Sequence, residues 1–599
     1  MRTKSRKVMK FLSFGLMASL AITGLVTNSV LATSPNEITV TYPYYGFVED
    51  PENPWSTVYD ALDETGEVQY NDDFFNAPSK GNHPKLRAAS YALALAGYEN
   101  QADGYPSDPS SPNPKLYNLL EQMGFSDFKS WDITSEENGH SMGTTIGHKT
   151  LPTGQDLIVV APRNYNYMTE WLSNFNVGTS GDHAGFSESA NLIVDRFNQY
   201  LSSHNFTNYK VWTVGYSRGG AVIDLFAKNI NANISNYSMS PDDFYAYTFG
   251  APRASVTATN YSNIHDVKDG NDLLLGYLFP EAWGFHNTGT YEEIHPADAE
   301  VKMSLINISD LADSTRASQL LSSNTGITTE IGTMNGKDFM DKWLSFVSEN
   351  GLTREYFDSE VKPSLSNIMQ IYQLRTLDKQ GEILDFIKDT DTGLASMVAG
   401  KAFTDLLTGP YSGTTIEERL ANFPPYQDLV KILRGTATDA DIDDFISYLD
   451  RYISNYDDYE ALFGVAPKVT REEFTVIKEN LPKLVKALAP IIVADAKYTQ
   501  STYGEDYTLF YTYTLGANAK DLVIGHIPES IMPILKSLIL ADDTSEEAIS
   551  DQPLGLPNSG SVGAEYKNEY STTSSDIFTI VLIVCAFMVV RRYTRTNTH

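Results

Sequence analysis

Residues 209–231 read YKVWTVGYSRGGAVIDLFAKNIN, and this stretch decides the fold. The β-branched and aromatic run before residue 215 is typical of a buried strand, and the segment after residue 220 has apolar spacing typical of a helix. Between them, Ser217 lies in a Gly-x-Ser-x-Gly pattern. A tight strand-to-helix turn of this kind exposes the serine hydroxyl in front of free helix N–H groups. The pattern therefore predicts that Ser217 is a nucleophile, and the alternative is a structural turn with an incidental serine.

The segments around this turn repeat the alternation of strand and helix. DLIVVAP (156–162) and FYAYTFGAP (244–252) also read as buried strands. Residues 183–204 form a long amphipathic pattern between the strand at 156–162 and the strand before Ser217. Such alternation predicts parallel pairing with helices on both faces, an α/β fold. Residues 84–130 read as helical.

The pattern changes after this region. Residues 305–500 are mostly helical in character, which indicates a separate helical domain or an insertion. YTLFYTYTLGANAKDLVIGH (507–526) could return the chain to the sheet. We therefore expect a core at 33–304, a helical insertion or cap at 305–500, a return to the core at 501–540 and an acidic, polar spacer at 541–575.

Both ends of the chain indicate export and anchoring. Residues 1–32 combine a basic region, an apolar run and small residues before a cleavage point, the pattern of a signal peptide. Residues 576–599 hold an apolar run, Ile577–Val590, followed by arginines that the positive-inside rule places in the cytoplasm. The run reaches about 21 Å as a helix against a hydrocarbon core of about 30 Å, and a buried helix is the alternative to an anchor. We expect a protein on the outer face of the membrane, in a Gram-positive bacterium.

Composition excludes some classes of ligand. The formal net charge is −32 without a basic cluster in the body of the chain, which argues against nucleic-acid binding and favours solubility. The one cysteine, Cys585, lies in the C-terminal apolar run, so the exported part has no disulfide. DTDTG (389–393) and DADIDD (439–444) resemble calcium loops but lack the later Gly and Glu, and we expect them to cap helices. We expect no metal and no cofactor.

Four stretches, in the expected order, resemble the class 3 (fungal-type) lipases of the α/β-hydrolase superfamily. They are HAGF (183–186), GYSRGGA (215–221), TFGAPR (248–253) and DLLLGYLFPEAWGFHNTG (272–289). The resemblance covers roughly residues 85–295 and resumes near 505–540. It implies an α/β-hydrolase fold, hydrolysis of carboxylic and particularly lipid esters through an acyl-enzyme, and a Ser-His-Asp triad.

A serine nucleophile needs a base, and the base needs an acid that orients it. In α/β-hydrolases the chain order is Ser, Asp, His. Three aspartates follow the serine in one short stretch: Asp266, Asp269 and Asp272. Asp272 directly precedes an apolar run, as the family's acid does, and is our choice. The Val-Pro that follows the acid in the family is missing here, so the other two remain open.

Four histidines follow the acid: His286, His295, His526 and His599. His599 lies beyond the predicted anchor, and His286 lies in a stretch that is structural in the family. The family's catalytic histidine lies in a loop before a helix near the end of the domain, which matches His526. This choice requires the helical residues 305–500 to be looped out between acid and base.

An oxyanion hole needs two backbone donors. One should be the N–H of Arg218, which follows the nucleophile. The family's second donor lies in a Phe-Arg-Gly-Ser/Thr loop, and here Arg163 is followed by Asn164 and Tyr165 in place of the glycine and the hydroxyl residue. The donor is then Asn164 or Tyr165. This departure leaves two alternatives to an esterase, a non-catalytic surface binding protein on a hydrolase fold and a hydrolase of another acyl bond.

Overall fold

The structure, a computed structural model, describes residues 36–46, 62–81, 83–97, 114–131, 142–163, 172–272, 277–296, 327–329, 332–334, 336–374, 383, 386, 393–453, 455–504 and 525–547. The predicted signal peptide, most of the predicted strand at 507–526, most of the polar spacer and the predicted anchor lie outside these residues. Among the described helices, none combines the length and the apolar character that crossing a membrane requires.

A twisted sheet in strict chain order forms the centre of the hydrolase part. Strands β1 (Ile38–Gly46) and β2 (Leu62–Tyr70) first form a separate antiparallel pair. Seven strands then make the main sheet: β3 (Ser126–Trp131), β4 (Gly143–Thr150), β5 (Asp156–Arg163), β6 (Tyr209–Tyr216), β7 (Phe244–Phe249), β8 (Tyr261–Asp269) and β9 (Gly289–Ile294). Strand β4 pairs antiparallel with both β3 and β5, and β5 to β9 run parallel. The carboxyl ends of the parallel strands therefore meet at one edge.

Side-chain alternation along the strands divides the core between the two faces of the sheet. On β5, Ile158 and Val160 belong to one apolar cluster, whereas Leu157 and Val159 belong to the other. The first face is covered by α3 (Ala184–Ser203) and α4 (Arg218–Ala232), and the second by α1 (Pro84–Ala96) and α2 (Pro114–Gln122). A strand buried on both faces needs apolar residues at every position, which explains the unbroken apolar runs in the sequence.

A long helical segment follows β9. After a small hairpin, β10 (Ile327–Thr329) and β11 (Gly332–Met334), its described helices include α5 (Gly336–Glu349), α6 (Lys362–Leu374), α7 (Leu394–Thr408), α8 (Ile416–Ala421), α9 (Pro424–Leu433), α10 (Asp439–Tyr452), α11 (Tyr456–Phe463) and α12 (Arg471–Tyr503). Most buried apolar residues of α6 to α12 continue the cluster that lies on the α3 and α4 face, whereas those of α5 form a separate cluster with Tyr277, Ala494 and Tyr498. The last described helix, α13 (Pro528–Glu547), returns to the opposite face and packs against α1. The architecture is an α/β-hydrolase fold with a large helical insertion.

Several expectations from the sequence need correction in detail. Residues 84–130 are not uniformly helical, because Ser126–Trp131 pairs with β4 as an edge strand. Helix α13 continues to Glu547, so the first residues of the predicted spacer at 541–575 are helical. In the DADIDD segment, Thr438 and Asp441 form a capping box at the start of α10, as expected for a helix cap. Most of the DTDTG segment lies outside the described residues.

Candidate active site

The turn between β6 and α4 carries a strained serine. Ser217 has φ 54° and ψ −130°, a backbone conformation that few residues other than glycine adopt. The turn is tight enough that a Cβ on Gly215 would lie 2.4 Å from the carbonyl oxygen of Gly219, so only glycine fits there. The N–H of Ser217 donates to the carbonyl of Phe249 at the end of β7, 2.9 Å away. This hydrogen bond ties the turn to the neighbouring strand.

An aspartate–histidine pair lies beside this turn. Nδ1 of His526 is 2.7 Å from Oδ2 of Asp272, although 254 residues separate the two in sequence. Asp272 follows the end of β8 and is fully buried, and His526 is 5% exposed. A carboxylate accepts the Nδ1 proton, which leaves the lone pair on Nε2. Nε2 is buried and finds no hydrogen-bond partner among the described residues.

Two neighbours hold the imidazole at the end of β6 and β7. The His526 ring stacks on the ring of Tyr216, the residue before the serine, with centroids 5.0 Å apart. The Tyr216 hydroxyl also donates to the His526 carbonyl. Gly250, with φ 53°, lies so close that a Cβ there would be 2.8 Å from the ring. The imidazole is therefore packed against the residues that flank Ser217 and Phe249.

The other acid and base candidates lie elsewhere or have other partners. Asp266 pairs with Lys268 at 3.2 Å, and Asp269 accepts the backbone N–H of Asn271 at 2.9 Å. His295 pairs with Glu293 at 2.7 Å. His286 exchanges backbone hydrogen bonds with Ser255, and His599 lies outside the described residues. Of the residues that the sequence suggested, the structure brings Asp272 and His526 together next to the serine turn.

The oxyanion candidates are described only in part. Arg218 is the first residue of α4, so its backbone N–H lies at the N-terminal end of this helix. Asn164 and Tyr165 lie outside the described residues. The side chain of Arg218 is buried and donates to the hydroxyls of Ser173 at 2.9 Å and Ser189 at 3.1 Å. The sequence did not indicate this function of the guanidinium, which ties the segment after residue 171 to the serine turn.

A buried histidine begins the helix next to this segment. Nδ1 of His183 accepts the N–H of Phe186 and so caps α3, and its ring stacks on Phe186 with centroids 3.8 Å apart. Burial, with the nearby cations Arg354 and Arg218, lowers the pKa of His183 to about 3, against the opposing effect of a hydrogen bond to Asn174. His183 is therefore neutral at neutral pH, and the HAGF stretch serves the start of the helix.

A buried polar network supports β8 below the acid loop. Thr288 donates to Asp224 at 2.5 Å, and Thr248 donates to Asp266 at 3.0 Å. Burial, and then the neighbouring carboxylate Asp266, raise the pKa of Asp224 to about 7. Burial also lowers the pKa of Lys268, against the opposing attraction of Asp266. The strand that leads to Asp272 is thus held by paired polar groups inside the core.

The helical insertion meets the hydrolase part at the acid loop. The N–H of Lys337, in the first turn of α5, donates to the carbonyl of Gly270 at 2.9 Å. The guanidinium of Arg253, in the turn after β7, pairs with Asp341 of α5 at 2.7 Å. Helix α5 therefore begins against the loop that bears Asp272.

Similarity to a known family covers the same part of the chain. Residues 160–272 match the sequence model of the class 3 lipase family. The match begins at the end of β5 and ends at Asp272, so it includes the serine turn and the acid loop. The chain thus carries a lipase-like carboxylic ester hydrolase domain, and the matched part supports the class 3 lipase family.

Two solved structures are similar to part of the chain. One is a triacylglycerol lipase whose catalytic centre is formed by a serine protease triad, at 19% identity over 36% of this chain and 82% of that chain, with a TM-score of 0.25. The other is the triacylglyceride lipase of Rhizomucor miehei, at 18% identity over 35% of this chain and 78% of that chain, with a TM-score of 0.25. No curated protein matches the chain.

Proposed function

We propose that the chain hydrolyses carboxylic esters, and lipid esters in particular, through a triad of Ser217, His526 and Asp272. The contact between Nδ1 of His526 and Asp272 beside the serine turn carries the proposal, because it leaves the Nε2 lone pair available next to the hydroxyl-bearing turn. Catalytic hydrogen bonds are often long in structures without substrate and shorten when substrate binds. The class 3 lipase match over the same residues supports the substrate class.

In the proposed reaction each group acts on one atom. Nε2 of His526 takes the proton from the Ser217 hydroxyl as its oxygen attacks the ester carbonyl carbon. Asp272 keeps the imidazole in the required tautomer and stabilises the positive charge that forms on it. The N–H of Arg218, with Asn164 or Tyr165, stabilises the oxyanion. The imidazolium then protonates the leaving alcohol, and water hydrolyses the acyl-enzyme in the same way.

The helical insertion sets access to this site in the proposal. Helix α5 contacts the acid loop through Lys337 and the turn after β7 through Arg253 and Asp341. A group of helices that packs on the loops around a nucleophile also limits which acyl chains and alcohols reach it.

We also propose, from residues 1–32 and 576–599, that the protein is exported and anchored on the outer face of the cell membrane. N-terminal sequencing of the mature protein and protease accessibility on intact cells test this part.

The activity test compares matched serine variants of the full chain. With p-nitrophenyl butyrate and emulsified tributyrin as substrates, Ser217→Ala should lower kcat by at least about 1,000-fold. Ser202→Ala, an exposed serine at the far end of α3, should keep the wild-type rate. A fluorophosphonate probe should label the wild type but not Ser217→Ala. Unchanged hydrolysis by Ser217→Ala would refute the proposal, and absence of labelling would favour the non-catalytic alternative.

The same assay identifies which aspartate orients the catalytic histidine. Asp272→Asn should lower kcat by about 10,000-fold, because the amide selects the wrong imidazole tautomer. Asp269→Asn retains an oxygen that can accept from Asn271, and it should keep most of the activity. The reverse order of the two variants would move the acid to Asp269.

A further inference from the structure

A cluster of one aspartate and two histidines lies at the opposite end of the sheet from Ser217. Asp127 lies on β3, His148 on β4, and His204 directly after the last residue of α3. Each side chain offers one ligand atom, and these three atoms lie within 4.8 Å of one another. Because β6 begins at Tyr209 near this end and its far end leads into Ser217, the cluster takes no part in the proposed ester hydrolysis.

The backbone brings these three residues together by an irregular geometry. Asp127 has φ 51°, one of the few described residues other than glycine with a positive φ, and the pairing of β3 with β4 shifts register between Ser126 and Lys129. A bulge of this kind redirects a side chain that regular pairing would direct elsewhere. The Asp127 carbonyl accepts the Tyr200 hydroxyl at 2.8 Å, which fixes the bulge to α3.

The hydrogen bonds determine which proton each imidazole holds. The Tyr200 hydroxyl gives its proton to the Asp127 carbonyl, so it accepts from Nδ1 of His148, 2.8 Å away. Nδ1 of His148 therefore carries a proton. His204 contacts the Tyr200 carbonyl through Nδ1 at 2.8 Å and the Asp127 carboxylate through Nε2 at 2.8 Å. Both of these partners accept, so His204 holds two protons in this state.

The pKa shifts agree with this assignment. Burial, and then the charge of His204, lower the pKa of His148. Burial would lower the pKa of His204, but the hydrogen bonds to the Tyr200 carbonyl and to Asp127 raise it above its ordinary value. The charged groups that face the pair are Asp127 and Lys129 on β3 and Asp156 at the start of β5.

The surroundings suit a cation. The carboxyl end of α3, where His204 lies, carries partial negative charge on its free carbonyls. Phe206 stacks on the His204 ring at 5.1 Å and packs edge-on against the His148 ring at 4.9 Å, so it limits the movement of both rings. The side chain of His204 is 22% exposed and that of Asp127 is 64% exposed, so an ion and its water can enter.

We propose that Asp127, His148 and His204 bind one divalent cation of the Zn²⁺ class, with water completing the coordination. Two imidazole nitrogens with one carboxylate oxygen select Zn²⁺ and its neighbours over Mg²⁺ and Ca²⁺, which prefer oxygen ligands alone. Ligands at about 2.0–2.1 Å from a tetrahedral ion lie about 3.3 Å apart. Small side-chain rotations bring the three atoms to that spacing. The ion replaces the Nε2 proton of His204 and joins β3, β4 and α3.

The Tyr200 carbonyl that accepts from Nδ1 of His204 remains in place and orients the ring for the ion.

The test uses the EDTA-treated full chain and calorimetric titration with ZnCl₂. The wild type should bind one Zn²⁺ more than His204→Gln or His148→Gln, whereas His295→Gln, a partly exposed histidine elsewhere, should match the wild type. Co²⁺ should give the strong visible absorption of tetrahedral coordination, and this absorption should be lost in Asp127→Asn. CaCl₂ and MgCl₂ should give no matching signal.

The expected secondary effect is on stability. Zn²⁺ should raise Tm in a saturable manner in the wild type but not in His204→Gln, while p-nitrophenyl butyrate hydrolysis per folded molecule stays equal in both. Equal Zn²⁺ binding by all variants, or no binding by the wild type, would overturn the proposal. Circular dichroism of His148→Gln and Asp127→Asn, beside His204→Gln, separates loss of the ion from loss of the fold.

Discussion

At the scale of single residues, the hydrolase part uses polar side chains inside the core as structural connectors. His183 caps α3 and contacts Asn174, and Arg218 joins the serine turn to Ser173. A buried polar group without such partners would cost about 1–3 kcal/mol. His183 therefore stabilises the segments around Ser217 only while its imidazole stays neutral.

The protonation of His183 gives a testable dependence on pH. In the unfolded chain His183 takes up a proton at about pH 6.5, whereas in the folded protein burial keeps it neutral down to a pKa of about 3. Between these values the unfolded state binds the extra proton, so the free energy of unfolding falls as the pH is lowered. His183→Asn keeps a cap acceptor for Phe186 but cannot titrate.

We therefore expect Tm to fall less between about pH 6.5 and about pH 4.5 in His183→Asn than in the wild type. Thermal unfolding followed by circular dichroism at several pH values measures this difference, in which the contributions of the unchanged carboxylates cancel. Parallel pH profiles for the two proteins would contradict the assignment.

At the scale of elements, the turns that follow the parallel strands define the site. In the turn after β7, Gly250 has φ 53° and lies directly against the His526 ring. The turn between β4 and β5 provides a comparison. Gly154 has φ 82° there, but a Cβ at this position would meet no atom within 4 Å.

A comparison of Gly250→Ala with Gly154→Ala should thus distinguish the effect of backbone strain from the effect of displacing His526. Both place alanine at positive φ and should cost a similar amount of stability, about 1 kcal/mol. Only Gly250→Ala should also push His526 away from the serine turn, lowering kcat for p-nitrophenyl butyrate by about 100-fold. Equal kcat values in the two variants, measured with equal amounts of folded protein, would show that His526 does not act as the base.

The elements that the sequence predicts correctly are those with an unbroken apolar pattern. Strands β5, β6 and β7 and helices α3 and α4 follow from buried runs and helical spacing, and the structure confirms each of them. The sequence of β8, by contrast, is a polar stretch with candidate acids. It is buried all the same, because its polar side chains pair within the core, as His265 does with Glu292 and Lys268 with Asp266. Pairing across strands cannot be read from local spacing.

Prediction of the site from the sequence has the same limit, because contacts between distant residues are not visible in local spacing. Ser217 follows from its local turn, and the proposed Asp272 and His526 follow from chain order and the family resemblance. The contribution of Gly250 beside His526 depends on a contact between residues far apart in sequence, and so does the cluster of Asp127, His148 and His204. No spacing rule covers three ligands on two strands and a helix end, so the sequence alone gives no reason to expect a metal there.

At the scale of the whole molecule, one arginine connects the helical insertion to the hydrolase part. Arg354, between α5 and α6, is buried and donates to the carbonyls of Val177, Gly178, Ser180 and Gly181. Its guanidinium also lies over the Phe285 ring, 4.4 Å from the centroid. The loop it binds leads directly into His183 and α3.

Loss of this connection should destabilise the protein. Arg354→Ala leaves several carbonyls without their donor, and we expect Tm to fall by roughly 5 °C. Arg354→Lys should recover only part of the loss, because an ammonium cannot span the same set of carbonyls. Arg471→Ala, which removes an exposed ion pair with Asp457, should leave Tm unchanged. A Tm for Arg354→Ala equal to that of Arg471→Ala would refute the connection.

The position of α13 has a consequence for how activity arises during folding. His526 enters the site because the helix after it packs against α1, which lies more than 400 positions earlier in the chain. A folding polypeptide can complete the sheet, the serine turn and Asp272 before this helix packs against α1. In the proposed mechanism such an intermediate has a nucleophile without its base, so the chain remains inactive until α13 has packed against α1.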